Sequence, residues 1–323
     1  MKVLRLSGDM SHRYGFGPFV FHSEIELPEL SGLLELGAQE LLPVNIHLGN
    51  FGDGAEGLVR VNQWIEVSES RFLLTVPEVG RYLARDGCEV LIAPAPGVSE
   101  IDLRLYLLGS VFGALCHQNG LLPLHASAID FEGRVTAFLG DSGAGKSTLA
   151  AFMARCGYTV VSDDICLLGR QGRDELTVIP VAGWLKLWGG SLDGLGESPI
   201  EANRIMSKDD KFRVYLPNAM NVAKEIPRLS SLVFLKRPEI EQDISPPRIE
   251  PISTVETVAE LMNMTYLPYL ADATGKRTEL FRRCASIAGN VTAFRLIAPL
   301  GWDRMNETVE LIKREVLHCP LRS

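Results

Sequence analysis

One eight-residue segment constrains this chain more than any other feature of its sequence. Gly140–Ser147 has the sequence GDSGAGKS and fits the pattern G-x-x-x-x-G-K-[S/T]. A strand is predicted before it at Val135–Leu139 and a helix is predicted over Lys146–Cys156, which is the context that a phosphate-binding loop requires. Glycines let the N–H groups of such a loop turn inward, and the start of the helix adds a positive dipole. The segment therefore predicts a site for the phosphates of a nucleotide.

The residues of the loop and of the first helical turn have separate expected contacts. We expect the phosphates to be bound by Gly140, Asp141, Ser142, Gly143, Ala144, Gly145, Lys146, Ser147 and Thr148. Lys146 is predicted to reach the β- and γ-phosphates, and the Ser147 hydroxyl is predicted to ligate Mg²⁺. The sequence contains neither the N-K-x-D signature of GTPases nor the L-S-G-G-Q signature of transporter ATPases. The first absence weighs against a GTPase, and ATP and Mg²⁺ are the predicted cofactors. The other residues of the site must distinguish a kinase from an ATPase.

An acidic pair follows the next predicted strand. Asp163 and Asp164 come directly after the apolar segment Tyr158–Val161, where carboxylates are costly unless they meet a metal ion or a hydrogen-bond donor. One of the two acids would ligate Mg²⁺, and the other could accept the proton of an attacking hydroxyl. A turn capped by an aspartate is the structural alternative. His125 opens an earlier predicted strand, which could bring it beside the loop or leave it with a purely structural hydrogen bond.

The pattern of predicted elements changes near residue 120. The 323 residues correspond to about two domains. Residues 1–120 are predicted to form a smaller α+β domain, and substrate recognition is one possible role for it. Within this domain the pattern predicts a hairpin at Trp64–Val67 and Arg71–Val76 and a helix at Pro77–Asp86. Residues 121–323 alternate strands and helices, which predicts an α/β domain that carries the loop.

Charge and cysteine usage exclude several classes of partner and location. The chain has 32 Lys and Arg residues and 40 Asp and Glu residues, so its formal charge is −8. This charge argues against nucleic acid and anionic membranes as partners.

No apolar segment is long enough to span a bilayer, and the N-terminus lacks the apolar core of a signal peptide. The six scattered cysteines predict reduced thiols in a cytoplasmic protein. The sequence does not determine the oligomeric state, and a homo-oligomer is one possibility.

The residues between His125 and Asp164 resemble the HPr kinase/phosphorylase family. The resemblance rests on three segments: HASA at His125–Ala128, GDSGAGKS at Gly140–Ser147 and GYTVVSDD at Gly157–Asp164. It implies a P-loop kinase domain of the HPr kinase/phosphoenolpyruvate carboxykinase type and phosphate transfer to a serine hydroxyl.

The same resemblance implies roles for the site residues. Asp163 would be the general base, Asp164 would lie in the Mg²⁺ shell, and His125 would support the acidic pair. Lys146 is counted with them as catalytic. The sequence shows only that the two acids are adjacent, so which acid has which role stays open.

Two departures from the family concern the acceptor. An I-R-G-x-G-type signature, tied to phosphorylase activity, is missing from the corresponding segment Ala182–Gly190, and the N-terminal half does not match the family's N-terminal domain. In these two features the chain resembles the HPr-kinase-related proteins of ribosomal-peptide and lasso-peptide clusters more than it resembles the bifunctional HPr kinase/phosphorylases. That implies a serine kinase for a peptide or small protein, in particular a lasso-type precursor peptide. A kinase of the phosphocarrier HPr, a small-molecule kinase and an ATP-binding regulatory module are the alternatives.

Basic residues downstream have two interpretations each. Lys186 lies between Trp184 and Trp188, either in a wall that touches phosphate or at the edge of a strand whose tryptophans pack into the core. Lys211 and Arg213 belong to a charged run that is either a solvated face or a set of cations near the γ-phosphate and acceptor.

Overall fold

The structure is a computed structural model of the chain. It describes residues 12–30, 41–52, 54, 56–171, 175–181, 184–198, 200, 203–205, 209–215, 226–238, 246–299 and 301–318. These residues form a mixed α/β structure with several sheets, which confirms the predicted α/β class. The chain divides into two compact units. The first comprises Met1–Leu121, Ile205–Asp209 and Tyr269–Lys276, and the second comprises Leu122–Arg204, Asp210–Pro268 and Arg277–Ser323.

The first unit contains one described sheet. Its strands are β1 (His12–Phe16), β2 (Phe19–Ser23), β3 (Leu42–Leu48), β4 (Val59–Arg60), β5 (Ile65–Val67), β6 (Arg71–Val76), β7 (Gly80–Arg85) and β8 (Glu89–Pro94). Their order across the sheet is β1-β2-β3-β8-β7-β6-β5-β4. β3 is parallel to both of its neighbours and the other pairs are antiparallel. Helices α1 (Glu100–Tyr106) and α2 (Phe112–Gln118) follow, joined by a π-helical turn.

An aromatic cluster forms part of the core of the first unit. Phe19 and Phe21 lie two residues apart on β2 and therefore share a face of the sheet. The ring centroid of Phe112 on α2 lies 5.6 Å from that of Phe19 and 6.4 Å from that of Phe21. Phe16 approaches Phe112 more closely, at 4.4 Å. All four rings are buried, so this contact joins the helical segment to the sheet.

The helix predicted at Pro77–Asp86 is wrong. Residues Gly80–Arg85 form β7, which pairs with β6 on one side and β8 on the other. Glu78 and Asp86 have φ values of +62° and +53°, so both ends of this strand are tight turns. Hydrogen bonds to two neighbouring strands outweigh the weak local preference of this segment for a helix. The Asp86-Gly87 pair was the hairpin signal that indicated the strand.

The strands of the second unit form two described sheets. The strands are β9 (Leu122–Leu124), β10 (Ala126–Phe131), β11 (Arg134–Leu139), β12 (Thr159–Ser162), β13 (Cys166–Gln171), β14 (Glu175–Ile179), β15 (Leu185–Trp188), β16 (Lys211–Val214), β17 (Arg228–Lys236), β18 (Arg248–Pro251) and β19 (Thr292–Ile297). The larger sheet runs β12-β10-β11-β17-β14-β13-β9, with β19 pairing to β17 and β18. β15 and β16 form a separate antiparallel pair.

Most of the remaining helices belong to the second unit. They are α3 (Lys146–Arg155), α4 (Gly189–Leu195), α5 (Thr254–Asn263), α7 (Arg277–Asn290) and α8 (Met305–Ile312), whereas α6 (Tyr269–Ala273) belongs to the first unit. In α5, Ser253 and Glu256 form a capping box at the N-terminus. Among the described residues, none of the helices is both long and apolar enough to cross a bilayer.

The sheet of the second unit brings two strand ends to one edge. β10 and β11 form a hairpin, whose turn residues Glu132 and Gly133 have φ values of +54° and +79°. β12 is also antiparallel to β10, so β11 and β12 run in the same direction. Leu139 ends β11 and Ser162 ends β12. The residues that follow these two strands therefore emerge at the same edge of the sheet.

Replacing Phe112 by alanine tests the aromatic core of the first unit. Its side chain is fully buried, so Phe112→Ala is expected to lower the free energy of unfolding by about 3–5 kcal/mol. Urea unfolding followed by circular dichroism measures the change. Phe281→Ala is the matched control, since that ring is 51% exposed and its loss should change stability by less than about 1 kcal/mol. Equal effects of the two substitutions would contradict this packing.

Candidate functional site

The segment Gly140–Gly145 joins β11 to α3 and requires glycine at both ends. Gly140 has a φ of +155°, and a Cβ there would lie 2.9 Å from the carbonyl oxygen of Leu235. Gly145 precedes α3 in the left-handed conformation, with a φ of +93°. Because glycine has no side chain to cap the helix, the first N–H groups of α3 are open to an anion. The backbone therefore has the form expected of a phosphate-binding loop.

Most of the predicted phosphate-binding residues line one cavity of about 380 Å³, a size typical of small-molecule sites. Those that line it are Ser142, Gly143, Ala144, Gly145, Lys146, Ser147 and Thr148. Gly140 and Asp141 instead contribute backbone carbonyls that accept hydrogen bonds from Lys146. His125 and Asp164 line the same cavity, as do Lys186 and Lys211.

Lys146 is held by neutral partners. Its Nζ donates to the carbonyl oxygens of Gly140 at 2.7 Å and Asp141 at 3.0 Å. A third contact joins Nζ to Nε2 of His125 at 3.0 Å. The residue is 6% exposed, and this burial lowers the pKa of its amine, although the carboxylates of Asp164 and Asp163 oppose the shift. A phosphate oxygen would offer this ammonium a stronger, charged acceptor.

His125 links Lys146 to the acidic pair. Burial and the cation of Lys146 lower the pKa of its imidazole below 6.5, so the ring is neutral near pH 7. Nδ1 lies 3.1 Å from the backbone carbonyl oxygen of Asp164, and Nε2 faces the Lys146 ammonium. Both contacts are satisfied by one tautomer, in which Nδ1–H donates to the carbonyl and Nε2 accepts from Lys146.

Asp163 is buried and bonded on both carboxylate oxygens. Oδ1 accepts hydrogen bonds from the hydroxyls of Ser127 at 2.6 Å and Ser147 at 2.8 Å. Oδ2 accepts from the backbone N–H of Lys186 at 2.8 Å. The residue is 5% exposed and does not itself line the cavity. Asp163 therefore holds the hydroxyl that was predicted to ligate Mg²⁺.

Asp164 faces the cavity from a strained backbone. Its φ is +68°, a left-handed conformation that non-glycine residues rarely adopt and that often marks a functional site. Oδ2 accepts a hydrogen bond from Lys186 Nζ at 2.6 Å, and Oδ1 lies 3.4 Å from Nδ1 of His125. Burial would raise the pKa of this carboxyl, but the cation of Lys186, which also donates a hydrogen bond to it, outweighs burial and holds the pKa well below its usual range.

The donors around Ser147 suit a magnesium ion. Mg²⁺ is usually held by oxygen ligands, with one or two carboxylates completed by substrate phosphates and water. The Ser147 hydroxyl and the Asp163 carboxylate supply such oxygens in direct contact with each other. In the described part of the chain, no group of three or more His, Cys, Asp and Glu could hold a metal ion by itself. The donor set therefore fits an ion that arrives with a nucleotide.

Sequence reasoning left some of these contacts open and missed others. Lys186 and Lys211 line the cavity, which favours a wall that touches phosphate for Lys186 and a cation near the γ-phosphate and acceptor for Lys211, whereas Arg213 does not line it. Ser127 was missed, although it lies two residues after His125 and would share its face of the strand predicted there. Trp302 was missed because no local pattern links it to the loop. Of the segment corresponding to the missing family signature, positions 182 and 183 lie outside the described residues.

Comparisons with known proteins give matches among solved structures. No protein-family model matches the chain, and no curated protein matches it. Among solved structures, the chain is similar to the Hpr(Ser) kinase/phosphatase from Coxiella burnetii, with 14% sequence identity over 60% of this chain and 90% of that one. The TM-score is 0.33. Values this low do not establish a shared activity.

Replacing His125 by glutamine tests the neutral state of the imidazole. Because folding lowers the pKa of His125 below 6.5, the unfolded chain takes up this proton at higher pH than the folded chain. The stability that His125 contributes is thus fully present above about pH 6.5 and is lost as the pH falls toward the lowered pKa. We expect the Tm of the unsubstituted protein to fall more steeply than that of His125→Gln between about pH 7.5 and 5.

Asp164 does not interfere with this measurement. Its pKa is lowered from 3.8, so the stability it contributes is present above that value and is lost only at lower pH. Parallel Tm curves for the two proteins would contradict a neutral His125.

Proposed function

We propose that this chain is an ATP- and Mg²⁺-dependent kinase that transfers a phosphoryl group to a serine hydroxyl of a peptide or small protein. One observation carries the proposal: a continuous chain of contacts links the loop to the acidic pair around one cavity. Ser147 bonds to Asp163, Lys146 bonds to His125, and His125 bonds to the backbone of Asp164. Phosphoryl transfer depends mainly on positioning and charge neutralisation, and these groups supply both.

The nucleotide and the metal ion have fitting partners in this chain. The N–H groups at the start of α3 and the Lys146 ammonium would hold the phosphates. Ser147 and Asp163 would hold Mg²⁺. When bound, Mg·ATP supplies the phosphoryl group and the metal neutralises part of its charge. Lys186 and Lys211, which line the cavity, add cations at the reacting end.

We propose that the two acids divide their roles in the reverse of the order that the resemblance implied. Asp163 belongs to the Mg²⁺ shell, because both of its oxygens are already bonded and one of them holds Ser147. Asp164 receives the acceptor, because its carboxylate lines the cavity. It would orient the serine hydroxyl and take its proton as the hydroxyl oxygen attacks the γ-phosphorus of ATP, whose bond to the bridging oxygen breaks so that ADP leaves. A low pKa does not prevent this, since a loose transition state needs orientation more than basicity.

Asparagine substitutions separate the two acids. Asp164→Asn is expected to lower kcat for transfer from labelled ATP by about 10²–10⁴-fold while leaving Mg·ATP binding nearly unchanged. Asp163→Asn is expected to raise the Mg²⁺ concentration required for ATP binding, because the amide weakens the metal site. Asp193→Asn is the control, since this exposed residue of α4 lies outside the cavity lining. Unchanged transfer by Asp164→Asn would contradict the assigned role.

The acceptor proposal rests on the resemblance to kinases of ribosomal-peptide clusters. We propose a lasso-type precursor peptide with a serine as the acceptor. Serine-containing precursor peptides, their Ser→Ala forms, an HPr-type phosphocarrier protein and small hydroxyl compounds should be offered in parallel with labelled ATP. Label on the precursor, lost in its Ser→Ala form, is the expected result. Label on the phosphocarrier or a small compound alone would assign the acceptor differently, and ATP binding without transfer to any acceptor would indicate a regulatory module.

A further inference from the structure

The cavity has an apolar end that the proposed transfer does not use. Residues of β19, of the segment that follows it and of α8 line this end, namely Leu296, Ala298, Pro299, Trp302 and Met305. Trp302 is only partly buried, although it packs against the core of the second unit. Lys236 of β17 adjoins this end beside β19 and is paired with Glu260. The rest of the lining carries the charged side chains of Lys146, Asp164, Lys186 and Lys211. One cavity thus offers a charged end and an apolar end.

The helix α3 orients a bound nucleotide between these ends. Thr148 and Phe152 lie four residues apart and therefore share a face of α3. The ring centroid of Phe152 lies 6.2 Å from that of Trp302, so Trp302 lies over this face. Lys146 is two residues before Thr148, which places it about 200° around the helix. If Lys146 binds the β- and γ-phosphates, the chain of phosphates leads past Thr148 and the nucleoside extends toward Trp302.

Helix α4 connects the loop to the tryptophan. The hydroxyl of Ser191 lies 2.9 Å from that of Thr148 at the start of α3. One turn later, Gly194 lies directly against the indole of Trp302, so closely that a Cβ at Gly194 would overlap the ring. Gly190 in the same helix has no heavy atom within 4 Å of a Cβ built on it. The absence of a side chain at Gly194 therefore sets the position of the indole.

We propose that the indole of Trp302 is the platform on which the base of the bound nucleoside triphosphate stacks. The inference deepens the proposed function and rests on it, because it takes the nucleotide as given. A flat aromatic ring offers any base a π-face, and Pro299 and Met305 complete an apolar surface around it. Trp302 contributes affinity for the base of the nucleotide and has no part in the transfer step.

The test compares a ligand that has a base with one that lacks it. The Kd values of ATP and of inorganic tripolyphosphate are measured by calorimetry with Mg²⁺, for the unsubstituted protein and for Trp302→Ala and Trp302→Phe. Trp302→Ala is expected to raise the Kd of ATP roughly 5- to 100-fold, and Trp302→Phe should restore much of the affinity. The Kd of tripolyphosphate is expected to stay unchanged in both. Trp64→Ala, a substitution in the first unit, is the control.

A second variant keeps the tryptophan and moves it. Gly194→Ala introduces the Cβ that would overlap the indole, whereas Gly190→Ala adds the same group in open space of the same helix. Alanine favours a helix at both positions, so neither should destabilise α4 by itself. We expect Gly194→Ala to lose affinity for ATP selectively and Gly190→Ala to bind both ligands normally.

The possible outcomes separate this inference from the proposed function. ATP binding that is unaffected by Trp302→Ala, or an equal loss for ATP and tripolyphosphate, would overturn the base platform alone. Failure of the unsubstituted protein to bind either ligand would overturn the proposed function and the platform with it.

Discussion

The carboxylate of Asp163 is the interaction on which the rest of the site depends. Its hydrogen-bond donors come from three different elements: Ser127 from β10, Ser147 from α3 and the backbone N–H of Lys186 from β15. A buried carboxylate is costly unless such donors are present, and each hydrogen bond to a charged group contributes about 1.5–3 kcal/mol. The sheet, the helix that follows the loop and the separate pair of strands β15 and β16 are thus fixed relative to each other by one negative charge.

The charge of the site is opposite to that of the chain. The formal charge of the protein is −8, yet four lysines line the cavity, namely Lys146, Lys186, Lys211 and Lys236. Their present partners differ: Lys186 is paired with Asp164 and Lys236 with Glu260. Among the described residues, the hydrogen-bond partners of Lys146 are carbonyl oxygens and a neutral imidazole. A charge-assisted bond to phosphate is stronger than bonds to neutral acceptors. Lys146 can therefore exchange its partners for a nucleotide without breaking an ion pair.

The parts of the site that sequence could predict are those built from neighbouring residues. The loop and the acidic pair were predictable because strand direction brings Gly140 and Asp163 to one edge of the sheet. The division of roles between the acids was not, since two adjacent positions point in different directions once Asp164 adopts a positive φ. Nor could sequence decide between the two interpretations of Lys186, because pairing of β15 with β16 and the contact with Asp164 are long-range. At Pro77–Asp86, pairing with two neighbouring strands decided in favour of a strand.

The two ends of the cavity arise from different physical constraints, and this explains why only one of them has a motif. Binding of phosphate requires backbone N–H groups at fixed spacing, so glycine, lysine and serine must be contiguous, as in Gly140–Ser147. An apolar platform for a base requires only a flat ring held at one position, and any segment that reaches the cavity can supply it. Here the indole of Trp302 packs against Gly194, which is far from it in the sequence. Substitutions at Gly194 therefore act on the same contact as substitutions at Trp302, although only the tryptophan would touch the base.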